Sequence, residues 1–175
     1  VGRRSVLMSD RERLHAEFGV ALRADSQGIA TIAHDDRALS VSAREGDRAY
    51  DTMDYRAYEV ERLMRVAFEL ARKRRGAPRD GVRRVTCVDK SNVLRSFAFF
   101  RRIFTEVGQG YPDVEKDYLY SDAAAQALVL EPGRFDVLVM ESFYGDLVAD
   151  LCAGLAGGIS AARAASFGED LAVFE

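Results

Sequence analysis

Two aspartates, Asp146 and Asp150, stand four residues apart in the run Asp146-Leu147-Val148-Ala149-Asp150. On a helix that spacing puts both carboxylates on one face, one turn apart, where together they can hold a hard cation through oxygen. The apolar run over 135–140 has the length of a buried strand, and a Phe143-Tyr144-Gly145 turn leads from it towards the aspartates. The small residues that follow, over 151–158, allow close packing. A strand that delivers a metal-ready helix is the arrangement of an α/β active site. The plainer reading is an acidic first turn that suits the helix dipole.

Two other strand ends carry residues of the same kind. Lys90, in Val88-Asp89-Lys90-Ser91-Asn92, sits where a strand over 82–88 gives way to a helix over 92–107. The C-terminal ends of strands are where open α/β sheets bind ligands. A lysine there, beside an aspartate, can carry a proton if burial lowers its pKa; otherwise it is a surface lysine. Asp122 follows a strand over 114–120 and opens a short helix over 122–130, where it can equally be an N-cap. Lysine or aspartate at three successive strand ends makes one candidate site out of three ordinary positions. His15 and His34 have no metal-like spacing and are assigned no role.

The elements that must position these residues follow from periodicity. Tyr58, Val60, Leu63, Val66, Ala67 and Leu70 recur at helical spacing over 55–75, and Gly76 and Pro78 stop that helix. A further helix spans 145–156, after the strand over 135–140. Strands alternating with helices imply βαβ units, hence an α/β fold with a mainly parallel sheet flanked by helices. Residues 1–17 are polar, with a helix over 10–17. Short strands near 18–22, 29–33 and 38–43 read as a small β arm near the N-terminus rather than part of the core sheet. The expected organisation is a single α/β domain over 1–175, with the opening segment and arm in 1–50 and the core in 51–175.

The bulk properties are those of an ordinary globular chain: 175 residues, 48% hydrophobic, 30% charged, net charge −3. That charge gives no nucleic-acid signature. The basic stretch Arg72-Lys73-Arg74-Arg75, with Arg79, Arg83 and Arg84, reads as helix C-terminal cations complementing the dipole. Cys87 and Cys152 lie in apolar segments and read as buried, reduced thiols. No apolar run is long enough to span a bilayer and no signal peptide opens the chain, so the expected compartment is the cytoplasm, with no membrane partner.

The blocks YDTMDYRAYEVERLMRVAFELARKRR, VTCVDKSNVL, EVGQGYPDV, FDVLVMESFYGDLVADLCAGLAGG and FGEDLAVFE occur in that order. Together they resemble the metal-dependent β-decarboxylating dehydrogenases, the isocitrate and isopropylmalate dehydrogenase family. LRADSQGIA, upstream, is similar to the family's substrate-arginine segment. The resemblance implies that Lys90 is the catalytic lysine, which in this family reaches into the neighbouring subunit. It implies that Asn92 and Arg23 hold substrate. It makes Asp146, Asp150 and, from across a homodimer, Asp122 the ligands of Mg²⁺ or Mn²⁺. The implied substrate is a small 2-hydroxy acid, oxidised by NAD or NADP to a β-keto acid that then loses carbon dioxide.

Two positions depart from the family pattern. The catalytic tyrosine falls at Ala30, and the pair before the helix turn is Glu141-Ser142. No cofactor-binding residue is matched, and the nucleotide-binding lobe is expected to be largely absent from these residues. The expectation is therefore a dehydrogenase-like domain that alone lacks the full activity. The alternative is a non-catalytic homologue acting as a dimeric metal- or acid-binding module.

Overall fold

The computed structural model describes residues 20–24, 30–34, 43–45, 48–50, 53–158, 160, 163–167 and 172–174. A seven-stranded sheet runs β6-β5-β7-β2-β1-β8-β9. Its strands are β1 (Val20–Ala24), β2 (Ala30–His34), β5 (Arg84–Asp89), β6 (Glu115–Tyr120), β7 (Val137–Glu141), β8 (Arg163–Phe167) and β9 (Ala172–Phe174). The section β6-β5-β7-β2 is parallel, as the alternation of strands and helices implies, and β1, β8 and β9 extend it antiparallel. β3 (Ala43–Glu45) and β4 (Arg48–Tyr50) form a separate two-stranded hairpin near the N-terminus; of the strand expected over 38–43, all but Ala43 lies outside the described residues. β1 and β2, expected in the small β arm, join the main sheet instead. There β2 pairs with β7, whose five buried residues would otherwise form an exposed sheet edge. The helix expected over 10–17 lies outside the described residues.

Among the described residues, the α-helices α1 (Ala57–Lys73), α2 (Arg95–Gly108), α3 (Ser121–Leu130) and α4 (Ser142–Leu155) flank the sheet. Alternation along the strands divides the core in two. Val85, Cys87, Val137 and Val139 pack with α1 and α2, while Val88, Leu138 and Met140 pack with α3 and α4. On α1 the buried stripe is Val60, Leu63, Met64, Ala67, Phe68 and Ala71. Tyr58 and Val66, expected on it, are 63% and 40% exposed, because the stripe takes the neighbouring phase that includes the larger Met64 and Phe68. Phe68 stacks on Phe104 and Tyr111, with ring centroids 5.2 and 4.8 Å away, which ties α1 to α2 and to the turn before β6.

The basic stretch is an internal tie more than a solvated helix end. Arg72 pairs with Asp113, Arg74 with buried Asp136, Arg79 with Glu131, and Arg84 with Glu115 and Asp80. Gly76, which stops α1, adopts φ +89, and a Cβ there would come within 2.2 Å of the Gly81 carbonyl oxygen. Cys87 and Cys152 are free, buried thiols, and burial, with Asp89 nearby, holds the Cys87 thiol well above its ordinary value. Among the described residues no helix is long and apolar enough to cross a membrane.

Candidate active site

Strand order decides where a site can form. From β5 the chain crosses outward through α2 to β6, then returns through α3 to β7 on the other side of β5. A reversal of direction at constant handedness puts the two crossover helices on opposite faces of the sheet. The helices that follow β5 and β7 diverge in the same way, α2 to one core and α4 to the other. The crevice between the C-terminal ends of β5 and β7 is thus a topological switch point, the usual ligand position in such sheets. Lys90 follows β5, Asp122 follows β6, and Asp146 and Asp150 lie on the helix after β7.

Lys90 and Asp122 are brought together. Register pairs Asp89 with Tyr120, so both side chains emerge one turn past the same end of the sheet. Lys90 Nζ donates to Asp122 Oδ1 at 2.7 Å, and this bond holds the Asp122 carboxyl below its ordinary range. The lysine is partly buried, with 22% of its side chain exposed, and the aspartate is open to solvent. Asp146 and Asp150 are both exposed on α4, four residues apart, as the spacing implies. Within one chain, and among the described residues, no group of three or more potential metal-binding side chains assembles. The structure therefore does not bring Asp122 to Asp146 and Asp150 in a single copy.

Asn92 is exposed in the turn after Lys90. Arg23 lies in β1, and its register row runs through Thr31, Leu138, Thr86 and Asp117, short of the strand ends where Lys90 and α4 begin. Ala30 is paired with Val137, at the start of β7.

The expected turn at Phe143-Tyr144-Gly145 is instead the opening of α4, which begins at Ser142. Glu141, buried at the end of β7, accepts the Phe143 and Tyr144 N–H groups at 3.0 and 2.9 Å and so caps the helix early. In the sequence, Glu141 stands out only as a departure from the family pattern. Spacing does not report Arg101, half-buried on α2, as the partner of the buried Asp89 beside Lys90. The one available signal was an aspartate at the end of an otherwise apolar strand.

The sequence model of isocitrate/isopropylmalate dehydrogenase matches residues 23–175. The chain belongs to this family. It is 48% identical over 120 residues to the 3-isopropylmalate dehydrogenase of Albidiferax ferrireducens, an alignment covering 69% of this chain and 32% of that protein. It is 41% identical over 130 residues to that of Escherichia coli, covering 72% and 34%. Among solved structures, the isocitrate dehydrogenase of Methylococcus capsulatus matches with a TM-score of 0.80 at 30% identity, covering all of this chain and 55% of that one. A β-decarboxylating dehydrogenase of Thermococcus kodakarensis matches with a TM-score of 0.80 at 29% identity, covering 98% and 51%. The chain thus spans about a third of the length of the curated relatives it matches, as the 32% and 34% coverages give.

Proposed function

We propose that this chain is the central domain of a β-decarboxylating dehydrogenase, one that oxidises a small 2-hydroxy acid with NAD or NADP and releases carbon dioxide from the β-keto acid formed. The observation that carries this reading is the placement of Lys90, Asp122 and the Asp146–Asp150 pair after three adjacent parallel strands, around a switch point. The family match along residues 23–175 favours it over a non-catalytic binding module.

The donor set suits Mg²⁺ or Mn²⁺. Asp146 and Asp150 present oxygen ligands one turn apart on an exposed helix face, and the third carboxylate, Asp122, comes from a second copy. When bound, the ion supplies polarisation of the substrate oxygen on which negative charge develops. Lys90 holds and moves the proton at its Nζ. Asn92 would orient a substrate carboxylate; Arg23, whose register row lies short of these strand ends, is given that role by the family resemblance alone. Ala30 offers no proton where the family has a tyrosine, which leaves Lys90 as the proton carrier of these residues. The nicotinamide has no assigned residue here: Gly157 and Gly158, at φ +106 and +113, follow α4, whereas a phosphate-cradling loop precedes its helix.

The unit is read as a homodimer. Phe143 and Leu147 on α4 and Val129 and Leu130 on α3 are all more than half exposed, an apolar surface that a second copy would cover.

The test is decarboxylation of oxaloacetate with Mn²⁺, a reaction that needs no nicotinamide, alongside NADH formation from 3-isopropylmalate, isocitrate, tartrate and malate. Residues 1–175 alone should decarboxylate slowly without forming NADH, and Lys90→Met should lower the rate by about a hundredfold, the scale of losing a positioned proton carrier. Decarboxylation by Lys90→Met at the parental rate would contradict the reading.

A further inference from the structure

Asp89, the last residue of β5, is fully buried, and its two carboxylate oxygens do different things. Oδ1 accepts the Ser91 backbone N–H at 2.7 Å. Oδ2 accepts from Arg101 Nε on α2. The first bond closes the turn in which the Val93 and Leu94 N–H groups reach back to the Lys90 carbonyl at 2.9 and 3.0 Å. The second fastens that turn to α2. Arg101 also lies 5.1 Å from the Tyr120 ring centroid, and Lys90 Nζ lies 5.9 Å from the same centroid. Asp89 and Lys90, adjacent in sequence, thus face different surroundings: one is sealed beneath the turn, and the other reaches out to Asp122 at 2.7 Å.

A lysine on a four-carbon stem has several rotatable bonds, and a solvent-exposed ion pair is a weak restraint on them. A buried carboxylate hydrogen-bonded to the turn and paired with an arginine is a strong one. We propose that Asp89 and Arg101 are positioning residues for Lys90: the buried Asp89 carboxylate, paired with the half-buried Arg101, fixes the 90–94 turn and, through Arg101, the Tyr120 ring beside which the lysine lies. The importance of that position rests on reading Lys90 as the proton carrier, but the test below needs no turnover.

Trace acylation with acetic anhydride, followed by peptide mass spectrometry, reads how freely Lys90 Nζ is presented. Lys73, exposed at the end of α1, and Lys116 serve as internal references. In Asp89→Ala the Lys90-to-Lys73 labelling ratio should rise about threefold, the scale of releasing one exposed ion pair, with the Lys116-to-Lys73 ratio unchanged. Asp89→Asn retains an oxygen for the Ser91 N–H but loses the acceptor for Arg101 Nε, and should give a ratio between the parental and the Asp89→Ala values. If Asp89→Ala does not fold, as near-UV circular dichroism would show, the double variant Asp89→Leu/Arg101→Leu replaces the pair with apolar side chains, leaving no buried charge unpaired, and should give the same rise. An unchanged Lys90 ratio in the folded variant overturns the proposal. So does an equal rise at Lys116, or an Asp89→Asn ratio that matches Asp89→Ala. Labelling as expected, with decarboxylation indifferent to Lys90→Met, would overturn the catalytic reading and leave the positioning role standing.

Discussion

Arg72 grips both oxygens of Asp113 in the turn before β6, and this pairing draws the carboxyl from 3.8 down to about 2. Because the folded value lies below the unfolded one, the stabilisation is fully present above the unfolded pKa and is lost as pH falls through the folded one. The thermal midpoint of Asp113→Asn should therefore lie below that of the parent at about pH 6, by the small margin of an exposed pair, and the two should converge as the pH approaches 2. Equal midpoints near neutrality would show that the pair contributes nothing. The same direction holds for Asp122, whose partner is Lys90. The positions of Lys90 and Asp122 just past strand ends, and of Asp146 and Asp150 one turn apart on a helix, were legible from segment lengths and spacing; their roles are the proposal above. Arg101 was not legible, because its bond to Asp89 joins residues twelve apart on different elements, and no periodicity reports such a contact.

Glu141 does its work between two elements, ending β7 and capping α4, the helix that carries Asp146 and Asp150. Replacing it with alanine leaves the Phe143 and Tyr144 N–H groups without their acceptor and should cost about 1–2 kcal/mol in urea unfolding. Glu141→Gln retains an acceptor oxygen and should cost less; equal losses in the two variants would mean that capping is not what Glu141 supplies. The long helices and the parallel strands β5, β6 and β7 could be read from the sequence because local spacing and stop signals set them: α1, expected over 55–75, runs Ala57–Lys73. β8 and β9 were missed, since Arg163–Phe167 is mostly small residues without alternation and is held by pairing to β1 and β9. The entry of β1 and β2 into the main sheet was hidden for the same reason. Their pairing with β7 and β8 spans more than a hundred residues of sequence.

For the molecule as a whole, the decisive feature is that one copy pairs Lys90 with Asp122 but does not gather Asp122 with Asp146 and Asp150. The proposed ion site is read as one shared with a second copy, and subunit complementation tests that directly. Asp122→Asn and Asp146→Asn should each weaken Mn²⁺ binding in an electron paramagnetic resonance titration. Unfolded together, refolded as an equimolar mixture and titrated again, they should regain about a quarter of the parental sites, because half the dimers are mixed and each mixed dimer has one intact site of two. No recovery in the mixture, or parental Mn²⁺ binding by either single variant, would contradict a shared site of Asp146, Asp150 and the second copy's Asp122.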